Sequence, residues 1–211
     1  MKLPRYIAIE GPIGAGKTTL AQKLADDFQG RLLLEQPHKN PFLPDFYDDP
    51  SRHAFKTQLF FLLNRYQQQK ELAQEDLFSK MSVSDYLFVK DWIFASINLS
   101  IDELALYKNI FQILVGHVPK PDLVIYLQAS SEILLKHIRK RKIFYENNIE
   151  ASYLEQLSEA YRKFFFGYSD SPLLVVNCTH IDFVENQEDY EKLKKEIVSP
   201  KRGERHYINL G

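Results

Sequence analysis

Gly11–Thr19 reads GPIGAGKTT, and this nonapeptide constrains the fold more than any other part of the chain, because it fits the GxxxxGK[ST] phosphate-binding loop. Such a loop needs a strand before it and a helix after it. Tyr6–Glu10 is a short apolar run rich in β-formers, while Leu20, Ala21, Leu24, Ala25 and Phe28 recur at helical spacing. Across Gly11, Pro12, Ile13, Gly14, Ala15 and Gly16 the backbone can turn its N–H groups around a phosphate, at the positive end of the helix that follows. Lys17 can reach the outer phosphates, Thr18 offers a hydroxyl to Mg²⁺, and Thr19 completes the loop. ATP is the expected phosphate donor.

The rest of the chain predicts an α/β protein around that loop. Leu32–Glu35, Met81–Asp85, Leu123–Leu127 and Leu173–Val176 read as further buried strands, which with Tyr6–Glu10 makes a five-stranded parallel sheet flanked by helices. Two of the four further strands end on carboxylates, Glu35 and Asp85, at the sheet edge where α/β proteins place their chemistry. Gln36–Pro50 carries four prolines and is expected to be a loop with short turns. Ser51 is the expected cap of a helix to about Ala73, and helical periodicity returns in Lys90–Leu99, Asp102–Val115, from about Ser131 and in Gln187–Val198. Ser152 and Glu155 have the spacing of a capping box. One domain over residues 1–199 is expected, with 200–211 as a loosely held tail.

Composition narrows the partners. A net charge of −1 argues against a protein built mainly to hold a nucleic-acid backbone. Neither a signal-peptide core nor an apolar run long enough to span a bilayer is found, so a cytoplasmic protein without a membrane partner is expected. Cys178 has no disulfide partner, and the six histidines lack metal-site spacing. The NKxD pattern of guanine-reading switches is absent as well. A phosphate loop, a strand-end carboxylate, a proline-rich segment and the basic run Lys136–Lys142 are the parts of a small kinase.

Four ordered motifs then bring a family into view: EGPIGAGKTT at Glu10–Thr19, NPFLPDFYDDP at Asn40–Pro50, FxxQxxFLxxR from Phe55 to Arg65, and the stretch Arg141–Leu157. Together they resemble the deoxynucleoside kinases. VSDYLF at Val83–Phe88 and KPDLVIYL at Lys120–Leu127 are similar to the bacterial deoxyadenosine/deoxyguanosine branch, and the likeness runs from about Tyr6 to Phe183. It implies the P-loop kinase fold, a homodimer, and transfer of the ATP γ-phosphoryl to the 5′-hydroxyl of a deoxynucleoside with Mg²⁺. Alternatives on the same scaffold are a pyrimidine deoxynucleoside kinase and a non-catalytic nucleotide-binding regulator.

The resemblance also assigns residues. Glu35 matches the base, Lys17 and Arg141 the cations of the transfer, and residues about 139–148 the lid. Tyr47 and Glu146 match positions that hold the sugar 3′-hydroxyl, Gln58 the base-reading glutamine, and Arg65 an arginine beside the base. Asn177–Phe183 matches the loop against the donor adenine, which brings in Asp182 and Phe183. His137 and Ile143 stand where many members have arginines, leaving Arg139, Lys140 and Lys142 as candidates for a second lid cation; Arg139 is counted with the ATP contacts. Many members carry a carboxylate-Arg-Ser triplet after strand three, whereas this chain has Ser84-Asp85-Tyr86. The arginine is missing, and Asp85 is assigned to Mg²⁺ or to the sugar side of the pocket.

Overall fold

The computed structural model describes residues 4–75, 81–179, 181–198 and 205–209. In chain order the elements are β1 (Tyr6–Glu10), α1 (Lys17–Phe28), β2 (Arg31–Leu33), α2 (Leu43–Asp48), α3 (Pro50–Glu75), β3 (Ser82–Ser84), α4 (Lys90–Asn98) and α5 (Ile101–Val115). They continue with β4 (Leu123–Gln128), α6 (Ser131–Arg141), α7 (Ala151–Phe166), β5 (Leu173–Asn177), α8 (Gln187–Val198) and β6 (Arg205–Asn209). The sheet order is β2-β3-β1-β4-β5-β6, and every pairing is parallel.

Alternation along the strands divides the core. Ile7, Ile9, Ile125, Leu127, Leu174 and Val176 face a layer that includes α1, α6 and α8, whereas Ala8, Val124, Tyr126 and Val175 face α3, α4 and α7. Helices on both faces explain why β1 and β4 read as continuous apolar runs rather than as alternating ones. β1 lies between β3 and β4, so the chain leaves in opposite directions on its two sides and a crevice opens at its C-terminal end. The phosphate loop fills that place.

The sheet has six strands rather than the five expected, because Arg205–Asn209, read from sequence as part of a loose tail, pairs with Leu173–Asn177. Its Ile208 is buried in the α8 layer, but Tyr207 on the other face is 63% exposed. The sequence Arg205-His-Tyr-Ile-Asn209, with Ile208 its one aliphatic residue, has too weak an apolar pattern to read as a strand.

Smaller corrections concern strand and helix ends. β2 and β3 stop before the carboxylates that were expected to end them, leaving Glu35 two residues beyond β2 and Asp85 directly after β3. Pro50 opens α3 in place of a Ser51 cap, since the Asp49 carboxylate accepts from the Arg52 N–H at 3.3 Å and from the Ser51 hydroxyl at 2.7 Å. Proline at a first helical turn loses no bond, because that N–H has no partner within the helix. The expected Ser152 box does not form: α7 starts at Ala151 after Glu150, and the Ser152 hydroxyl donates to the Glu150 carboxylate. A capping box does form at Ser100 and Glu103, at the start of α5.

Candidate active site

Two glycines shape the phosphate loop. Gly14 and Gly16 sit at φ 88° and 89°, where L side chains are strained, and a Cβ at Gly14 would lie 2.7 Å from the Leu134 carbonyl oxygen. The strand end is anchored by Glu10, fully buried, whose carboxylate accepts from the Gly11 N–H at 2.9 Å, the Leu87 N–H at 2.7 Å and the Tyr161 hydroxyl at 2.8 Å. Lys17 folds back over the loop and donates to the carbonyls of Gly11 and Pro12 at 2.8 and 2.9 Å. Burial, and next to it the charge of Lys90, lowers the Lys17 pKa to about 8.

Asp85 ties the loop to the segment after β2. Its Oδ2 accepts from the Thr18 hydroxyl at 2.6 Å and its Oδ1 from the Glu35 N–H at 2.7 Å. Burial raises its pKa, against the pull of those two bonds. Glu35 itself is held from both sides, by the Arg65 guanidinium on one oxygen and by Lys90 Nζ at 2.8 Å on the other. Burial alone would raise its pKa, but these two cations outweigh it and keep the carboxyl well below the ordinary range. Arg65 is shared with Asp91, whose own pKa burial pushes upward. The result is a buried chain of alternating charge, Lys90, Glu35, Arg65 and Asp91.

Around Glu35 lies a cavity whose walls include Gln58, Phe46, Phe61, Tyr47, Tyr145 and Glu146. Tyr47 and Tyr145 stack with centroids 5.9 Å apart and planes 11° apart. Gln58 is 3% exposed and lines this cavity. Glu146 pairs with Arg141 at 3.0 Å, and both line the cavity. A second cleft is bounded by Gly16, Thr19, His137, Lys140, Asp182 and Glu185. Gly14, Lys17, Thr18 and Arg141 line both.

The profile of the deoxynucleoside kinase family matches residues 7–200. The chain belongs to the deoxynucleoside kinase family. It is 38% identical to the deoxyguanosine kinase of Bacillus subtilis (strain 168) over 93% of this chain and 98% of that one. It is 31% identical to the deoxyadenosine kinase of Lactobacillus acidophilus over 92% of this chain and 94% of that one. Among solved structures, deoxyadenosine kinase from M. mycoides with bound dATP superposes with a TM-score of 0.80 at 26% identity, covering 92% of this chain and all of that one.

Within this deoxynucleoside kinase most of the residues singled out from sequence converge. Lys17, Thr18, Glu35, Tyr47, Gln58, Arg65, Asp85, Arg141 and Glu146 line one cavity. Two donor-side candidates lie elsewhere. Arg139 is exposed and borders neither cleft, while its neighbour Lys140 reaches the second and pairs with Glu185 at 2.7 Å. Phe183 is buried beneath the loop, where a Cβ on Gly16 would meet its ring at 2.9 Å. Sequence reasoning gave no role to Lys90, Asp91 or Glu10. The first two read only as the start of a helix, and their charges acquire meaning through Glu35 and Arg65, which lie 26 to 55 residues away. Glu10 read as the last residue of a strand.

Proposed function

We propose that this kinase transfers the γ-phosphoryl group of ATP to the 5′-hydroxyl of a purine deoxynucleoside. The observation that carries the reading is the meeting of two clefts at Lys17, Thr18 and Arg141, one of them holding an ionised carboxylate and the other bordered by the phosphate loop. Phosphoryl transfer asks mainly for positioning, stabilisation of spreading negative charge and a place for one proton. Glu35 would receive the 5′-hydroxyl proton, Lys17 and Arg141 would face the phosphoryl oxygens, and Tyr47 with Glu146 would hold the sugar. Support for the purine preference comes from the deoxyguanosine and deoxyadenosine kinases among its relatives.

The donor set at Thr18 and Asp85 suits Mg²⁺. These two oxygens lie 2.6 Å apart, and among the described residues no group of three or more His, Cys, Asp or Glu side chains could hold a metal alone. Magnesium fits such a place because it keeps several waters and takes nucleotide phosphates as its other ligands. When bound it would supply positive charge beside the phosphates.

A lid over residues 139–148 and a homodimer belong to the same proposal. Leu63 on α3, with Leu106 and Ile113 on α5, leaves large apolar side chains exposed on the two helices that pair in the family by resemblance. Among the described residues no helix is long and apolar enough to cross a membrane, which accords with a cytoplasmic setting.

Incubation with labelled ATP and each of the four deoxynucleosides tests the substrate class. Monophosphate should form from deoxyadenosine or deoxyguanosine, and Gln58→Ala should raise KM for purines about tenfold to a hundredfold while sparing that for ATP, as a buried edge left unpaired implies. Phosphorylation of thymidine or deoxycytidine at least about ten times more efficiently than either purine would overturn the purine assignment.

Arg141 provides a separate test, because the charge it faces grows as the phosphoryl group moves. It is 43% exposed on its side chain and held by a single carboxylate, so its removal should leave the fold intact. Arg141→Ala should lower kcat by about 10² to 10³ with nucleoside KM within about threefold. An unchanged kcat accompanied by weaker DNA binding would make the basic run a nucleic-acid patch instead.

A further inference from the structure

Lys90 stands in the reaction cavity without an assigned part. It is the first residue of α4, only 4% exposed, and its ammonium bonds Glu35 Oε2 at 2.8 Å with the Phe94 ring 5.4 Å away. A lysine has three N–H donors, and among the described residues Glu35 is the one partner that its ammonium bonds. Arg65 engages the other Glu35 oxygen and is itself shared with Asp91, so Lys90 balances the charge of the cluster through one N–H and has two more to offer. Lys17, Thr18 and Asp85 line the same cavity as Lys90, so its ammonium and the phosphate loop border one space. The stretch Ser84-Asp85-Tyr86 at the end of β3 carries no cation where many members of the family have an arginine.

We propose that Lys90 is a catalytic cation that holds Glu35 with one N–H and the transferring phosphoryl group with another, filling from the start of α4 the place left by the missing arginine. This rests on the kinase reading above. In the transfer the bond from the 5′-oxygen to phosphorus forms as the bond from phosphorus to the ADP oxygen breaks. The hydroxyl proton passes to Glu35, and Lys90 keeps its own. As Glu35 is neutralised its hold on Lys90 weakens, while the phosphoryl oxygens gain charge. The interaction therefore strengthens in the transition state more than in the ground state, which is the condition for accelerating the step.

A double-mutant cycle separates this from a purely structural partnership with Glu35. Lys90→Met should lower kcat by about 10² to 10³ with both KM values within about threefold, and Lys90→Arg should recover activity to within about tenfold of wild type. The deciding comparison is Glu35→Gln against Glu35→Gln/Lys90→Met, both assayed below their melting temperatures; the double variant leaves no charge stranded, so it stays informative even if Lys90→Met alone does not fold. A further loss of about tenfold or more in the double variant supports contact with the phosphoryl group. Equal rates for the two would overturn the proposal, because Lys90 would then act only through Glu35. Wild-type activity is measured first, so a failure of the kinase reading is seen separately, as absence of monophosphate product.

Discussion

Lys17→Ala is expected to lower turnover by at least about three orders of magnitude while leaving a folded protein with a cooperative melt. The ammonium bonds the Gly11 and Pro12 carbonyls, which solvent can take over when the side chain is removed. No such substitute exists for the charge it offers a phosphoryl group in flight. Turnover close to wild type would remove the phosphate-loop assignment. The same residue sets a pH dependence for ATP. Its free-state pKa of about 8 is depressed by burial and by Lys90, and bound phosphates favour the protonated form. Binding is therefore linked to proton uptake, so ATP affinity should be flat below pH 8 and fall about tenfold per unit as pH rises beyond it. Titration of ATP binding from pH 7 to 9.5 measures this, and a flat profile would show that Lys17 does not meet the phosphates.

What was legible in the sequence followed from how local each feature is. The phosphate loop needs nine consecutive residues and a strand and helix on its flanks, all visible at once. β4 was plain because burial on both faces makes it continuously apolar. β6 was not, since Ile208 is the one aliphatic residue in this edge strand, and its bonding partner lies some thirty residues away. In the site, Glu35 and Arg65 were marked individually by the family's motifs, but their being joined was not. Nothing in Lys90-Asp91 at a helix start says that one residue will neutralise the carboxylate and the next the guanidinium. Such pairings belong to the packing of α3 against α4, and a single chain read in order does not display them. The missing arginine after β3 was the one departure from the family's pattern that the sequence displayed in this part of the site.

Glu35→Gln should reduce turnover by about two to four orders of magnitude and keep deoxynucleoside binding, because the amide retains the shape of the carboxyl but cannot receive the hydroxyl proton. The cavity walls that would grip the base and sugar, Gln58 and Tyr47 among them, are untouched by this change. Arg65 retains Asp91 as a counterion, whereas Lys90 loses its carboxylate partner. A buried cation without a carboxylate is costly, so the melting temperature at neutral pH should fall as well. The acid limb carries a second sign. Glu35 has a folded pKa below its unfolded one, so its contribution to stability is fully present above about pH 5 and is lost as pH falls further. The wild type should therefore lose its stability advantage over the glutamine variant on acidification, and thermal melts from pH 7 to pH 3 would show the two curves converging. A variant that turns over at the wild-type rate would assign the base to another group, and the nearest carboxylate to examine would be Asp85, which bonds the Glu35 N–H at 2.7 Å.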